Sequence, residues 1–387
     1  MENFVFQNAT RIVFGRGTEE AVGRETAAMA RSVLLHYGGK SSTASGLLDR
    51  VRARLKDAGV AFEELGGVVP NPRLSLVREG IGLVRKHGLA GILAVGGGSV
   101  IDSAKAIGIG VPYAGDVWDF YTRKAGVKEM LPVGVVLTIP AAGSEASNGS
   151  VVTNEEGWYK RDAGAACMRP RFAVMDPLLT TTLPAYQTAC GAADIMAHVM
   201  ERYFTRVKAV DFTDRLCEAT LRTIVRNVPI ALARPDDYDA RAEIMWAGTV
   251  AHNDLLSTGR VGDWATHMIE HEVSGIYDVA HGAGLAVLFP AWMTHVMHHD
   301  TGRFAQFAAR VFDAEHDYAS PERTAQEGVR RLRAFWKGIG LPATLAEAGV
   351  GADRLDEMAR KATDRGPLGN FVKLATADVR AILDLAR

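Results

Sequence analysis

The chain has 387 residues, which is long for one domain and predicts about two. Its hydrophobic fraction of 48% and charged fraction of 23% are typical of a globular protein, and its formal net charge of −1 gives no electrostatic reason to bind nucleic acid or an anionic membrane. Three cysteines, Cys167, Cys190 and Cys217, include no C-x-x-C pair, which argues against a disulfide framework and a cysteine-based zinc site.

The sequence predicts a cytoplasmic protein. Residues 1–17 lack the basic flank and the apolar stretch of a secretory signal. The most apolar run, residues 89–101, is shorter than the ~20 residues of a membrane-spanning helix.

In the first half of the chain, short apolar runs alternate with helical patterns. Residues 33–37, 91–95 and 133–139 predict buried strands, and residues 45–58 predict a helix. Such alternation is typical of a parallel sheet that is covered on both faces and binds ligands beyond the carboxyl ends of its strands. Residues 4–6 and 11–14 are a candidate N-terminal hairpin.

The first predicted strand ends in a turn without an acidic residue. An NAD site usually has an acid here, which accepts hydrogen bonds from the ribose hydroxyls. This chain instead has the candidate cofactor residues Gly38, Gly39, Lys40 and Ser41. A lysine and a hydroxyl would tolerate and partly neutralise a 2′-phosphate, so the turn favours NADP(H) over NAD(H). The alternative is that these residues form a plain surface turn.

A second turn, Gly-Gly-Gly-Ser at residues 96–99, follows a strand and opens a helix at Val100. Glycines let backbone N–H groups approach an anion, and the helix N-terminus adds partial positive charge. Gly97, Gly98 and Ser99 are therefore candidates for binding a pyrophosphate, although such turns also serve packing alone. Asp102 completes a possible capping box with Ser99, and any contact of this carboxylate with a cofactor should involve hydroxyl or amide groups.

A third turn, after the strand at residues 133–139, is flanked by Thr138 and Ser144. Their hydroxyls are candidates for binding ribose or phosphate oxygens, although small polar residues also form turns on their own. Residues 154–161, which include Lys160, are predicted to be a loop.

The character of the chain changes near Thr182, after which the pattern is mostly helical. Residues 211–225 and 321–337 are examples of long stretches with helical periodicity. We therefore predict a nucleotide-binding α/β domain at residues 1–182 and a helical domain at residues 183–387.

The helical half contains a histidine-rich segment, in which seven of the eleven histidines lie between His252 and His299. Just before it, Asp194 and His198 are four residues apart, which places them on one face of a helix. The same spacing relates His267 and His271, and His281 precedes a glycine at a predicted turn. A hydrogen-bonded Asp–His pair would explain the first spacing alone, whereas one carboxylate with several imidazoles suits Fe²⁺ or Zn²⁺.

In their order and spacing, these motifs resemble the iron-containing alcohol dehydrogenases. The resemblance rests on the Gly-Gly-Gly-Ser-x-x-Asp turn, on Asp194-x-x-x-His198, and on His267-x-x-x-His271 followed by His281-Gly282. It extends from about Arg11 into the C-terminal helices, and residues 263–268 resemble the NADPH-dependent butanol dehydrogenase and aldehyde reductase branch in particular. Further matches are Asn-Pro at residues 71–72, Thr-Ile-Pro at 138–140, Gly-Ser-Glu at 143–145 and Asp-Pro at 176–177.

The resemblance implies a Rossmann-like α/β domain, a helical metal-binding domain and an active site in the cleft between them. It implies a homodimer and one divalent metal, iron or zinc, held by Asp194, His198, His267 and His281. The cofactor contacts that it implies fall on Gly39, Lys40, Ser41, Asn71, Gly97, Gly98, Ser99, Asp102, Thr138 and Lys160. His271 is then one helical turn from a ligand, and we predict that it relays a proton or orients a ligand.

The predicted reaction is hydride transfer between NADP(H) and a small to medium primary alcohol or aldehyde. One alternative is a lyase similar to dehydroquinate synthase, which would need a cationic site. Instead, the predicted ligands here have uncharged neighbours such as Met196, Trp264 and Met268. A second alternative is a non-catalytic nucleotide- or metal-binding protein, which would not oxidise NADPH in the presence of an aldehyde.

Overall fold

A computed structural model describes residues 1–39 and 46–387 of the chain. The described residues divide into two compact units. One is an α/β unit, Gln7–Leu183, and the other is a helical unit that combines Met1–Phe6 with Pro184–Arg387.

The α/β unit is built on a six-stranded parallel sheet, which confirms the predicted sheet type. Its strands are β1 (Arg11–Phe14), β2 (Ser32–Gly38), β3 (Ala61–Val68), β4 (Gly91–Gly96), β5 (Val133–Leu137) and β8 (Phe172–Met175). They lie in the order β1-β8-β5-β4-β2-β3. Every residue of β4 and β5 is buried, because strands inside a parallel sheet are covered on both faces.

Five helices of this unit lie in the described residues: α1 (Val22–Met29), α2 (Leu47–Asp57), α3 (Leu74–His87), α4 (Gly98–Gly110) and α5 (Trp118–Tyr121). One face of the sheet packs Val33, Leu35 and Leu93 against Leu48 and Val51 of α2. The chain passes from β2 to β3 on one side and then crosses to β4 on the other. The carboxyl ends of β2 and β4 therefore form the switch point at which open α/β sheets bind ligands.

Two regions of this unit differ from the sequence prediction. Residues 11–14 form no hairpin with residues 4–6, because β1 pairs in parallel with the buried strand β8. Residues 154–161 are not a continuous loop. They include the turn of an antiparallel hairpin formed by β6 (Gly149–Asn154) and β7 (Tyr159–Gly164). The turn contains Gly157 and Trp158, both with positive φ, which reverses the chain within a few residues.

The helical unit has nine α-helices among the described residues: α6 (Ala185–Tyr203), α7 (Asp211–Ala233), α8 (Tyr238–His252), α9 (Ala265–Tyr277), α10 (His281–Val296), α11 (Thr301–Phe312), α12 (Pro321–Gly338), α13 (Leu355–Ala362) and α14 (Thr376–Leu385). Helix α6 lies in the centre, and all its residues from Thr188 onward are buried. Helix α10 approaches it closely, since a Cβ on Gly282 would lie 1.9 Å from the carbonyl oxygen of Cys190. Only glycine fits at this contact, which fixes the start of α10 against α6.

Among the described residues, no helix combines the length and the apolar character needed to cross a bilayer.

Candidate metal centre and nucleotide-binding residues

Three helices bring the predicted metal ligands together within the helical unit. Asp194 and His198 lie one turn apart on α6, His267 lies in the first turn of α9, and His281 is the first residue of α10. Asp194, His198 and His267 are at most 5% exposed, and the His281 side chain is 23% exposed. Asp194 and His198 thus lie on one face of α6, as their i, i+4 spacing predicts.

Their possible ligand atoms have the spacing that one metal ion requires. Asp194 Oδ1 lies 3.3 Å from His198 Nε2 and 3.8 Å from His281 Nε2. The ligand atoms that Asp194, His267 and His281 can offer lie within 4.8 Å of one another. Two ligands that are each about 2.1 Å from a tetrahedral ion lie about 3.4 Å apart. Asp194, His267 and His281 therefore fit a single divalent ion, and His198 lies beside them next to Asp194.

Two buried polar atoms of the predicted ligands form no hydrogen bond within the described part of the chain. Asp194 Oδ1 and His267 Nε2 form no hydrogen bond there, although both are buried. A buried polar atom without a partner costs about 1–3 kcal/mol, and a metal ion would satisfy both atoms. Burial, together with the neighbouring His267 and Arg202, holds the pKa of His198 well below its ordinary value. His198 is therefore neutral, as a metal ligand must be.

Two buried glutamates contact the predicted ligands, and the sequence analysis missed both. Glu201 Oε1 accepts a hydrogen bond from His267 Nδ1 at 2.7 Å, and Glu270 Oε2 accepts one from His281 Nδ1. Both side chains are fully buried. Their spacing from the predicted ligands could have indicated them. Glu201 lies seven residues after Asp194 on α6, and Glu270 lies three residues after His267 on α9. Each follows two apolar residues directly.

His271 lies beside this group, one turn after His267 on α9. Its ring centroid is 5.8 Å from that of His281, and Glu270, His271 and His281 form a second group of potential ligands. His271 is 4% exposed, so it shares the buried environment of the predicted ligands. Its predicted catalytic role stays a prediction.

Aromatic rings border the candidate metal centre. Trp264, at the N-cap of α9, lies 5.3 Å from His267 and 5.7 Å from His198 between ring centroids. His252, which the sequence analysis did not single out, lies 4.2 Å from His198. Trp264 and Met268 are partly exposed. The surface beside the histidines is therefore uncharged at these two residues, as expected for a neutral substrate.

In the α/β unit, the predicted nucleotide-binding turns lie at one edge of the sheet, since β2, β4 and β5 are parallel neighbours. Gly38 ends β2 and Gly39 follows it, Gly97 is the N-cap of α4, and Thr138 follows β5. The predicted residues Lys40 and Ser41 lie outside the described residues. Gly98 and Ser99, which open α4, are half-buried. The N-terminus of a helix at this edge is suited to binding a phosphate.

Packing explains part of the glycine turn. A Cβ on Gly96 would lie 2.4 Å from Cγ2 of Val100, and a Cβ on Gly97 would lie 2.9 Å from Cβ of Ile139. Gly98 differs, because its nearest neighbour would be Cβ of Ala142 at an ordinary 3.5 Å. Gly96 and Gly97 are thus required by the fold itself, whereas packing does not require a glycine at position 98.

Asp102 does not form the capping box that the sequence suggested, because α4 has no side-chain hydrogen bond at its N-cap. Its carboxylate instead accepts hydrogen bonds from the Ser144 hydroxyl at 2.5 Å and from the Val151 amide at 3.0 Å. The Lys105 ammonium, fully buried, donates to Ser144 Oγ and to three further oxygens in residues 147–149. Asp102 and Ser144 thus attach the turn after β5 to α4.

Asn71 and Lys160, two further predicted cofactor residues, lie in contact. Lys160 Nζ donates a hydrogen bond to Asn71 Oδ1 at 2.9 Å, and both residues are at most 4% exposed. Asn71 has a φ of 55°, and the adjacent Pro72 carbonyl accepts from the Thr153 amide of β6. The β6–β7 hairpin therefore brings together two residues that are 89 positions apart in the sequence.

Comparison with known proteins gives matches over almost the whole chain. Residues 9–177 match the model described as iron-containing alcohol dehydrogenase, and residues 188–386 match the C-terminal model of the Fe-containing alcohol dehydrogenase family. The chain is 44% identical to the probable NADH-dependent butanol dehydrogenase 1 of Bacillus subtilis, with 99% of each chain covered. It is 34% identical to the NADPH-dependent aldehyde reductase YqhD of Escherichia coli, with 100% of each covered.

A solved structure, NADH-dependent butanol dehydrogenase A from Thermotoga maritima, has the same fold. It superimposes with a TM-score of 0.96 at 39% identity and covers 100% of this chain and 99% of its own.

Proposed function

Because this chain belongs to the iron-containing alcohol dehydrogenase family, we propose that it transfers a hydride between NADP(H) and a small to medium primary alcohol or aldehyde. The chain is an oxidoreductase that uses a metal ion and a nicotinamide cofactor, as the family and the candidate ligand groups show. The proposed substrate class is supported by the partly exposed Trp264 and Met268 beside the histidines.

The proposed metal ligands are Asp194, His198, His267 and His281, and the metal is Fe²⁺ or Zn²⁺. The observation that carries this assignment is the buried Asp194 Oδ1, which has two imidazole nitrogens within 3.8 Å and no hydrogen bond among the described residues. When bound, the ion supplies Lewis-acid polarisation of the substrate oxygen. We assign it to residues 183–387 and nucleotide binding to residues 1–182.

We propose that the protein's own groups complete the reaction. His271 lies next to His281, and its imidazole would carry a proton to or from the substrate oxygen. Trp264 and Met268 would hold the substrate carbon chain and exclude water from the reacting carbon.

We propose that the preferred cofactor is NADP(H). Among the relatives, the butanol dehydrogenase of Bacillus subtilis is named NADH-dependent and YqhD is named NADPH-dependent. The support in this chain is the end of β2, where Gly38 and Gly39 offer no carboxylate to a ribose 2′-hydroxyl. The adjacent strand β3 ends in Gly66, Gly67 and Val68 and offers none either. The other proposed contacts are Lys40, Ser41, Asn71, Gly97, Gly98, Ser99, Asp102, Thr138, Ser144 and Lys160.

The proposed assembly is a homodimer, an inference that rests on the family resemblance. Light scattering coupled to size-exclusion chromatography measures it directly, with an expected mass of twice the 41.6 kDa chain.

The deciding experiment is a panel of aldehydes tested with NADPH and with NADH, using protein of measured metal content. We expect absorbance at 340 nm to fall with uncharged aldehydes, faster with NADPH than with NADH at equal concentration. A faster reaction with NADH would overturn the cofactor assignment. Full activity in metal-free protein would overturn the metal assignment.

A further inference from the structure

We propose that Glu201 and Glu270 are positioning residues that hold two of the metal-binding imidazoles in the orientation and tautomer required for coordination. This inference rests on the proposed function, because it concerns the same metal centre. It adds two carboxylates that do not touch the metal themselves but act through His267 and His281.

Glu201 is held in place on both sides of its carboxylate. Oε1 accepts hydrogen bonds from His267 Nδ1 at 2.7 Å and from the His267 amide at 3.0 Å. Oε2 accepts one from the Trp264 amide at 2.5 Å. These contacts attach the end of α6 to the start of α9, and the side chain is fully buried. The carboxylate is therefore locked in one rotamer, and it locks the ring of His267 in turn.

Glu270 has the equivalent role for His281, across the contact between α9 and α10. Its Oε2 accepts a hydrogen bond from His281 Nδ1. On α10, Gly284 makes room for this carboxylate, since a Cβ at that position would lie 2.7 Å from Glu270 Oε1. A glycine is therefore needed at position 284 to leave space for the Glu270 carboxylate, and not because of the backbone conformation.

The two contacts determine which nitrogen faces the metal. A carboxylate only accepts hydrogen bonds, so each Nδ1 carries the proton and each Nε2 presents a lone pair. His267 Nε2 has no hydrogen bond among the described residues, and His281 Nε2 lies 3.8 Å from Asp194 Oδ1. Both Nε2 atoms therefore face the candidate ligand group, while both Nδ1 atoms face a buried carboxylate.

His198 lacks this support. Its Nε2 faces Asp194 Oδ1 at 3.3 Å, and its Nδ1 forms no hydrogen bond within the described residues. The centre thus has two imidazoles fixed by glutamates and one positioned by the spacing on α6. Outer carboxylates of this kind typically change metal affinity 10- to 100-fold, because they orient the ring and raise its basicity.

The test measures metal affinity by chelator competition, with Zn²⁺ as the probe, for the wild type, Glu201→Gln, Glu270→Gln and the double variant. Glutamine keeps the size of the side chain and removes its charge. We expect each single substitution to raise the Kd by roughly 10- to 100-fold and the double variant to approach the product of the two. Gly284→Ala should raise the Kd in the same direction as Glu270→Gln.

Glu272→Gln is the matched control. Glu272 is also a buried carboxylate on α9, and it pairs with Lys361 at 3.6 Å. Urea unfolding of the metal-free proteins measures the structural cost of each substitution separately. We expect Glu272→Gln to lower stability and leave the Kd at the wild-type value.

The outcomes separate this inference from the proposed function. If the wild type binds no Zn²⁺, the proposed metal centre is wrong. If the wild type binds and the two glutamate variants bind equally well, the positioning roles are wrong. If Glu270→Gln lowers the number of ligands around Co²⁺ in the Co²⁺-substituted protein, measured by X-ray absorption spectroscopy, Glu270 is itself a ligand and its positioning role is overturned.

Discussion

Two buried histidines, one in each unit, use their ring nitrogens differently. His36 on β2 is fully buried, and its Nδ1 bonds to the Leu65 carbonyl while its Nε2 bonds to the Ser103 hydroxyl, both at 2.8 Å. His267 is 3% exposed, and its Nδ1 bonds to Glu201, but its Nε2 has no hydrogen bond among the described residues. Burial alone therefore does not distinguish a structural histidine from a metal ligand. The distinguishing feature is the Nε2 atom, which has a hydrogen bond in His36 and none among the described residues in His267.

Other buried polar groups of the two units differ in the same way. In the α/β unit, the buried Lys105 is surrounded by oxygen acceptors from residues 144–149, so the polar network is satisfied internally. In the helical unit, Asp194 Oδ1 and His267 Nε2 are buried and form no hydrogen bond among the described residues. Both residues belong to one group of potential metal ligands. A satisfied network stabilises the fold, whereas buried polar atoms that converge without hydrogen bonds indicate a cation-binding site.

The strongest test of this comparison exchanges the two histidines for alanine. We expect His267→Ala to lose its bound metal and to lose turnover by on the order of 10³-fold or more, because several kcal/mol of charge stabilisation depend on the ion. NADPH binding, measured by fluorescence titration, should remain. His36→Ala should keep its metal, measured by elemental analysis of the folded fraction.

Metal loss in His36→Ala, with His267→Ala retaining its metal, would reverse the assignment of the two histidines.

The second test is the pH dependence of stability. Burial lowers the pKa of His36 from 6.5 to about 4. Below pH 6.5 the unfolded chain binds a proton that the folded chain does not, so stability is lost as the pH falls from 6.5 towards 4. The lost free energy of unfolding should reach about 3 kcal/mol.

Urea unfolding at pH 7 and pH 4.5 measures this loss. In His36→Gln, which cannot bind the proton, the difference between the two pH values should shrink by a similar amount. An unchanged difference would show that His36 does not titrate in this way.

The third test concerns His271, which lies beside the ligand group. If it carries a proton, His271→Ala should reduce turnover by on the order of 10²-fold and leave the bound metal unchanged. Steady-state kinetics and metal analysis on the same preparation measure both. Loss of metal in this variant would identify His271 as a ligand.

The smallest effect is expected at His298, which is exposed at the end of α10. His298→Ala should change the free energy of unfolding by less than about 0.5 kcal/mol and leave metal content and turnover at wild-type values. This variant is the control for the other histidine substitutions, because it removes a histidine outside the candidate metal centre. A loss of metal here would mean that the ion also binds at the surface.

Much of the architecture was predictable because local spacing has direct geometric consequences. The alternating pattern indicated the parallel sheet, and the spacing of Asp194 and His198 predicted a shared helical face, as α6 shows. The hairpin at residues 149–164 was missed, because its polar residues have no strand pattern of their own and depend on pairing between β6 and β7. The capping-box interpretation of Asp102 failed since Ser144 and Val151 offer it better-placed donors.

By itself, the sequence determined which side chains share a helix face and the order in which the candidate ligands follow a glycine turn. Only the tertiary structure decided which nitrogen of each imidazole faces the others. Glu201 reaches His267 from another helix, 66 positions away in the sequence, and Glu270 reaches His281 across the contact between α9 and α10. A hydrogen bond across helices depends on how the helices pack. Gly282 lies directly against α6, and this contact fixes the start of α10, where His281 lies.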